Sequence, residues 1–271
     1  MGKIVSAAAT SHTFGSAEAN PEAVERIWAG MKALGESISA SRPDIVIIAS
    51  SDHLNNFNLD AQIPLAIGTS DEFVPLGDMG VPKTLYQGNR GFAQEFAQYC
   101  SDVDLDLVPV ENIQPDHGVS FPNAFANPVG RAALVPLYIN SVMTPTPSCR
   151  RAYSLGQALK RFVETARPAE ERVAVLGSGG LSHWICLPES GQVNEEWDLE
   201  IIHLMTSGRG AELGKLSRAE ILKNGGNGGL EIATWSLVAG AAEGCRGTKI
   251  YYEPMTPWWT GMGGVVMDIH N

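Results

Sequence analysis

Ile45-Val46-Ile47-Ile48-Ala49, passing into Ser50-Ser51-Asp52-His53, is the stretch from which the fold can be read. Four consecutive β-branched residues lie between Pro43-Asp44 and a Ser/Asp turn, which describes a short strand. Upstream, Pro21 to Ser39 carries Ala23, Val24, Ile27, Trp28, Met31 and Leu34 at helical spacing. Before that helix lies a second apolar run, Ile4 to Ala9. Strand, helix and strand in that order form a βαβ unit and imply a parallel pair.

The pattern around His53 occurs three times. Ile4–Ala9 runs into Thr10-Ser11-His12, and Val173-Ala174-Val175-Leu176 runs into Gly177-Ser178-Gly179-Gly180-Leu181-Ser182-His183. Open parallel sheets bind ligands outside the carboxyl ends of their strands, so neighbouring runs would bring three imidazoles to one crevice. Glu231 follows Gly225-Gly226-Asn227-Gly228-Gly229-Leu230 and opens an apolar helix, which places a carboxylate within reach. Two histidines and one carboxylate with open positions form the facial triad of non-haem Fe(II) oxygenases. A spare histidine would then serve acid–base chemistry; the strand-end pattern alone leaves open which one.

The remaining elements extend the α/β alternation. Helices are expected at Phe92–Cys100, Ser148–Ala166, Glu195–Thr206, Ser217–Leu222 and Leu230–Gly240. Ser217 with Glu220 three residues on makes a capping-box pattern. Further strands are expected at Leu105–Val110, Ala133–Ile139, Lys249–Tyr252 and Val265–Ile269. Leu54 to Gly91 reads as an irregular excursion over the binding edge, Asp116-His117-Gly118 as a turn, and Pro254–Gly264 as a loop. No repeat or linker interrupts residues 1–271. The expectation is a single three-layer α/β/α domain with a mostly parallel central sheet.

Composition bounds the function. With 271 residues, 44% of them hydrophobic, the chain can bury a large core. A formal net charge of -11 and the lack of any Lys/Arg run argue against a nucleic-acid partner. No apolar stretch is long enough to span a bilayer, and the N-terminus does not read as a signal peptide. Cys100, Cys149, Cys186 and Cys245 are scattered, which points to free thiols in the cytoplasm. There is no H-E-x-x-H, no paired cysteine set, no G-x-G-x-x-G after a strand and no G-x-S-x-G elbow. His117, in Pro-Asp-His-Gly, reads equally well as a turn residue or a site residue. His203 reads as structural or exposed, and His270 receives no role.

Across most of its length the chain resembles the class III (LigB-type) extradiol ring-cleavage dioxygenases. The likeness is carried, in family order, by Ser11-His12, Ser51-Asp52-His53, Asp116-His117-Gly118 and Val135-Pro136-Leu137 with the helix after Pro147. Gly179-Gly180-Leu181-Ser182-His183, Asn194-Glu195-Glu196-Trp197-Asp198 and Gly229-Leu230-Glu231-Ile232-Ala233-Thr234-Trp235 complete it. Within the family it is most similar to the catalytic β subunit of protocatechuate 4,5-dioxygenase. The resemblance implies that His12, His53 and Glu231 hold Fe(II), that His183 is the acid–base residue, and that His117 is a second catalytic histidine. It implies a catecholic substrate and O₂, and either a homo-oligomer or a hetero-oligomer with a small partner subunit.

The expected substrate is a small carboxylate-bearing catechol of the protocatechuate kind. The alternative is an aminophenol, a pyridinediol or a biaryl diol stacked near Trp258 or Trp259. These tryptophans could equally be core or interface residues. Two other function classes stand beside the dioxygenase. His₂Glu also suits a zinc hydrolase, and the fold could serve a non-catalytic binding protein.

Overall fold

The three apolar runs are strands of one sheet. The computed structural model describes residues 1–269. In chain order the elements are β1 (Lys3–Thr10), α1 (Pro21–Ala40), β2 (Ile45–Ser50), β3 (Leu65–Gly68), β4 (Glu72–Phe73), β5 (Tyr86–Gln87), α2 (Arg90–Asp102) and β6 (Val108–Val110). There follow α3 (His117–Ala126), β7 (Ala133–Ile139), α4 (Cys149–Ala166), β8 (Arg172–Ser178), α5 (Glu195–Thr206), α6 (Arg218–Gly225), α7 (Ile232–Ala241), β9 (Gly247–Met255) and β10 (Thr260–Met267).

The main sheet has eight strands in the order β6-β3-β7-β2-β8-β1-β10-β9. The block β7-β2-β8-β1 is parallel throughout, and β3 with β6 forms a further parallel pair. The β3–β7, β1–β10 and β10–β9 pairings are antiparallel. β1 and β2 are parallel as expected, but β8 lies between them. Their ends are level: Ala49 of β2 and Ala9 of β1 both pair with Gly177 of β8. The three histidine-bearing loops therefore leave adjacent strands at one edge.

Side-chain alternation along the strands builds the layers. Ile45, Ile47 and Ala49 pack with Phe92 and Phe96 of α2, Leu155 and Phe162 of α4, and Trp235 of α7. Val46 and Ile48 face the opposite way, onto Leu34 and Ile38 of α1 and Val119 of α3. The result is one α/β domain with helices on both faces of a mostly parallel sheet. No helix among the described residues is long and apolar enough to cross a membrane.

Several sequence expectations shift. Asp116-His117-Gly118 is not a free turn but a helix start: Asp116 is the N-cap of α3, its side chain accepting from Gly118 N–H at 3.0 Å. The expected loop Pro254–Gly264 is a tight hairpin, with β9 running to Met255, a short 3-10 turn at Thr256–Trp258, and β10 starting at Thr260. The expected strand at Leu105 shrinks to Val108–Val110. The capping box of Ser217 and Glu220 is formed. His203 is exposed on α5, and His270 lies outside the described residues.

Candidate active site

Each site side chain is turned inward by a partner on its far side. His12 follows β1, and its Nδ1 lies 2.8 Å from Ser178 Oγ at the end of β8. Ser178 Oγ gives its own proton to Gly118 O, so the hydroxyl must accept from His12 Nδ1–H. That leaves the lone pair on His12 Nε2. His53 Nδ1 donates to Asp116 Oδ2 at 2.9 Å, again leaving Nε2 as the free nitrogen. His117 Nδ1 is 2.5 Å from Asp78 Oδ2, and His183 Nδ1 donates to Leu181 O at 3.0 Å. By the same logic all four imidazoles offer Nε2.

Glu231 closes the cluster. It sits at the end of a 3-10 turn, Gly228–Glu231, that leads into α7. Its Oε2 accepts Gly180 N–H at 2.9 Å. Its Oε1 lies 3.2 Å from His53 Nε2 and 3.7 Å from His12 Nε2. His183 Nε2 faces the other oxygen, Oε2, at 3.8 Å. The imidazoles of His12, His53 and His117 also crowd together, with ring centroids 4.4 to 5.2 Å apart and one nitrogen of each within 4.8 Å of the others.

Close packing explains the glycines. A Cβ on Gly228 would lie 2.1 Å from His183 Nε2, and one on Gly179 (φ +134°) would lie 2.8 Å from Glu231 Oε2. The glycine-rich segment before Glu231 lets α7 approach the His183 loop this closely. On the other side that loop is pinned by α5. Asp198, fully buried, accepts from Ser182 N–H (2.8 Å), Ser182 Oγ (3.0 Å) and Tyr252 Oη (2.9 Å).

Burial and charge set the protonation states. Burial pushes His12 down to about 3, so it is a neutral donor at neutral pH. Burial disfavours a charged His53 too, but hydrogen bonds to Asp116 and Glu231 outweigh it and raise the group to about 10. Burial likewise opposes ionisation of Glu231, yet His12, His53 and His183 around it hold its carboxyl well below the usual carboxylate range. A metal ion bound here would therefore compete with a proton for the His53 Nε2 lone pair.

The donor set fits a divalent metal. Donors sharing a first-row ion at about 2.0–2.2 Å lie roughly 3–3.5 Å apart, close to the separations that Glu231 Oε1 makes with His53 and His12. Two buried carboxylates, Glu231 and Asp116, flank them, and a divalent ion would balance that charge.

The cavity in front of this cluster has a volume of 240 Å³. It is bounded by His12, Thr13, His53, His117, His183, Ile185, Glu231, Trp258, Trp259 and Thr260. Trp258 is both core and wall: it packs on Phe14, donates Nε1–H to Ser16 O at 2.9 Å, and still reaches the cavity. The structure brings together all five histidine and glutamate candidates read from the sequence. Sequence reasoning missed the partners Asp116, Ser178 and Asp78, which stand behind the histidines and do not line the cavity in front of them. Asp116 was visible only as a neighbour of His117. Asp52, beside His53 in sequence, instead accepts backbone N–H groups of Asn55, Asn56 and Phe57.

Comparisons with known proteins give a family and a fold. The family described as the catalytic LigB subunit of aromatic ring-opening dioxygenase matches residues 6–263. A Photorhabdus laumondii protein named 2,3-dihydroxyphenylpropionate/2,3-dihydroxicinnamic acid 1,2-dioxygenase is 29% identical, over 94% of this chain and 95% of its own. A Klebsiella pneumoniae protein of the same name is 30% identical, over 84% of this chain and 86% of its own. The crystal structure of an uncharacterized Escherichia coli K12 protein, JW3007, superposes with a TM-score of 0.61 at 15% identity. It covers 96% of this chain and 99% of its own, and shares the fold.

Proposed function

We infer the reaction from the premise that this chain belongs to the LigB family of aromatic ring-opening dioxygenases and is an extradiol-type ring-cleaving enzyme. The reading is Fe(II)-dependent cleavage of a catecholic ring beside its vicinal hydroxyls, with both atoms of O₂ entering the product. His12, His53 and Glu231 would hold the iron, and His183 and His117 would serve the substrate. The observation that carries it is the split use of Glu231. Oε1 faces the free nitrogens of His12 and His53, whereas Oε2 is tied to Gly180 N–H and faces His183. One oxygen is thus available as a ligand, and His183 stands on the other side of the carboxylate. His117 is the competing third ligand, because its ring nitrogen also lies near those of His12 and His53.

When bound, Fe(II) would bring the diol oxygens and O₂ to one centre and relay electrons between them. The protein's own groups then have separable tasks. Ser178 and Asp116 hold His12 and His53 in the tautomer that presents Nε2, as second partners of ligand histidines generally do. His183, its Nδ1–H engaged by Leu181 O, offers an Nε2 lone pair to accept a ring-hydroxyl proton. It can return that proton to an oxygen leaving during ring opening. His117, oriented by Asp78, can hold a second proton. Trp258, buried at the wall, shields one side of the ring from water.

The test is anaerobic reconstitution with Fe(II), then a panel of catechols under air, following O₂ uptake and the yellow ring-fission product. One O₂ consumed per ring cleaved supports the reading. A zinc-loaded protein that hydrolyses its substrate without O₂ uptake would establish the hydrolase instead.

A further inference from the structure

We propose that the ring cleaved here carries an uncharged, apolar substituent, alkyl or aryl, seated against Ile185 and Trp259 at the cavity mouth. This rests on the reading that the histidine cavity binds the diol. Once the four histidines and Glu231 are assigned to that end, the remaining wall is Thr13, Ile185, Trp258, Trp259 and Thr260. No lysine or arginine among the described residues lines the cavity. Of its side-chain donors, Thr260 Oγ1–H goes to Trp258 O at 3.1 Å and Trp258 Nε1–H to Ser16 O at 2.9 Å; the Thr13 hydroxyl and the Trp259 indole N–H remain, both uncharged.

A ring carboxylate directed at this wall would meet aromatic and aliphatic surface with no lysine or arginine to pair with it, in a chain of net charge -11. Desolvating an anion without a paired cation is costly. An apolar substituent finds the opposite. Ile185 is 45% exposed and Trp259 52% exposed, on segments that meet over the opening. Trp259 is held in the left-handed region (φ +60°) and its N–H donates to Thr256 O, so the hairpin turn projects the indole outward beside Gly191 of the facing loop. Two large apolar side chains left open beside a ring-sized cavity form a seat for a hydrophobic group.

Two matched ligands decide it: 3-propylcatechol and 3-(2,3-dihydroxyphenyl)propionate, which differ only in replacing a terminal methyl by a carboxylate. Binding is read without turnover, by tryptophan fluorescence during anaerobic titration of the Fe(II)-loaded protein. Turnover is read afterwards as O₂ uptake. The expected result is a preference for propylcatechol of at least about 10-fold in both Kd and kcat/KM. Trp259→Ala and Ile185→Ala should each shrink that ratio. Equal or tighter binding of the propionate overturns the proposal, as does a Trp259→Ala variant that weakens both ligands by the same factor. Absence of O₂ uptake with either diol would instead defeat the dioxygenase reading, while the binding ratio still reports the preference of the wall.

Discussion

Asp116→Asn tests the claim that the metal end is built from behind. The carboxylate is fully buried and accepts four donors. Oδ2 takes His53 Nδ1–H at 2.9 Å, His53 N–H at 3.3 Å and Asn55 Nδ2–H at 3.0 Å, and Oδ1 takes the α3 cap bond from Gly118 N–H at 3.0 Å. An amide has one acceptor oxygen. If it keeps the His53 bonds, its NH₂ meets Gly118 N–H and the helix loses its cap, worth about 1 kcal/mol. The charge-assisted bonds also weaken, by roughly another 1 kcal/mol. Burial works against ionisation of Asp116, but its bonds and charges with His53 and His117 win, lowering its pKa from 3.8 to about 2.

That depression corresponds to about 2 kcal/mol of stability, in line with the bond count. Because the folded pKa is depressed, the contribution is complete above pH 3.8 and disappears as pH falls through about 2. Chemical denaturation of the metal-free protein should therefore show Asp116→Asn about 2 kcal/mol less stable than wild type at pH 7. The gap should narrow to about half at pH 3. Chelator competition at pH 7 should show metal binding weakened by roughly 10–100-fold. A variant with wild-type stability and wild-type metal affinity would refute the reasoning.

Glu231→Ala should lose iron on desalting, measured by metal analysis, whereas His117→Ala should retain it; the reverse pattern would make His117 the third ligand. His183→Ala should keep stoichiometric iron and lose roughly 10²–10⁴-fold in kcat; loss of iron would mean that ligand and base have been exchanged. Gly228→Ala puts a methyl 2.1 Å from the present place of His183 Nε2, so kcat should fall by about 10–100-fold with iron retained. An unchanged kcat would show that the His183 position is not critical. Burial raises Asp198 to about 6, so its protonated form favours folding; that contribution is complete below pH 3.8 and is lost as pH rises through 6. Asp198→Asn should therefore gain stability relative to wild type between pH 4 and pH 7 in thermal melts. A constant difference across that range would contradict the assignment.

Local pattern was enough to read the scaffold because the signals there are local. Four β-branched residues in a row at Ile45–Ile48 cannot pack as well in anything but a strand, and the Pro21 helix declares itself by its 3.6-residue period. Strand ends followed by histidine could be recognised one at a time, so His12, His53 and His183 were visible before any strand was paired. Legibility failed where the structure depends on partners far away in sequence. Asp116-His117-Gly118 has the composition of a turn, yet the carboxylate caps α3 and holds a histidine from another loop. Trp258 and Trp259 are adjacent in sequence, but the left-handed backbone at Trp259 sends one indole into the core and leaves the other at the cavity mouth.

By itself the sequence determined which chemical groups are present and which strand end each one follows, because side-chain periodicity and turn chemistry are properties of neighbouring residues. Only the tertiary structure decided that β8 lies between β1 and β2, so that the three ends are level. It also decided which nitrogen of each imidazole faces inward, and that no lysine or arginine among the described residues lines the ring cavity. Those outcomes depend on hydrogen bonds and packing between residues separated by tens to hundreds of positions, such as His12 with Ser178, His53 with Asp116, and Gly228 under His183. Local pattern carries no information about such pairs.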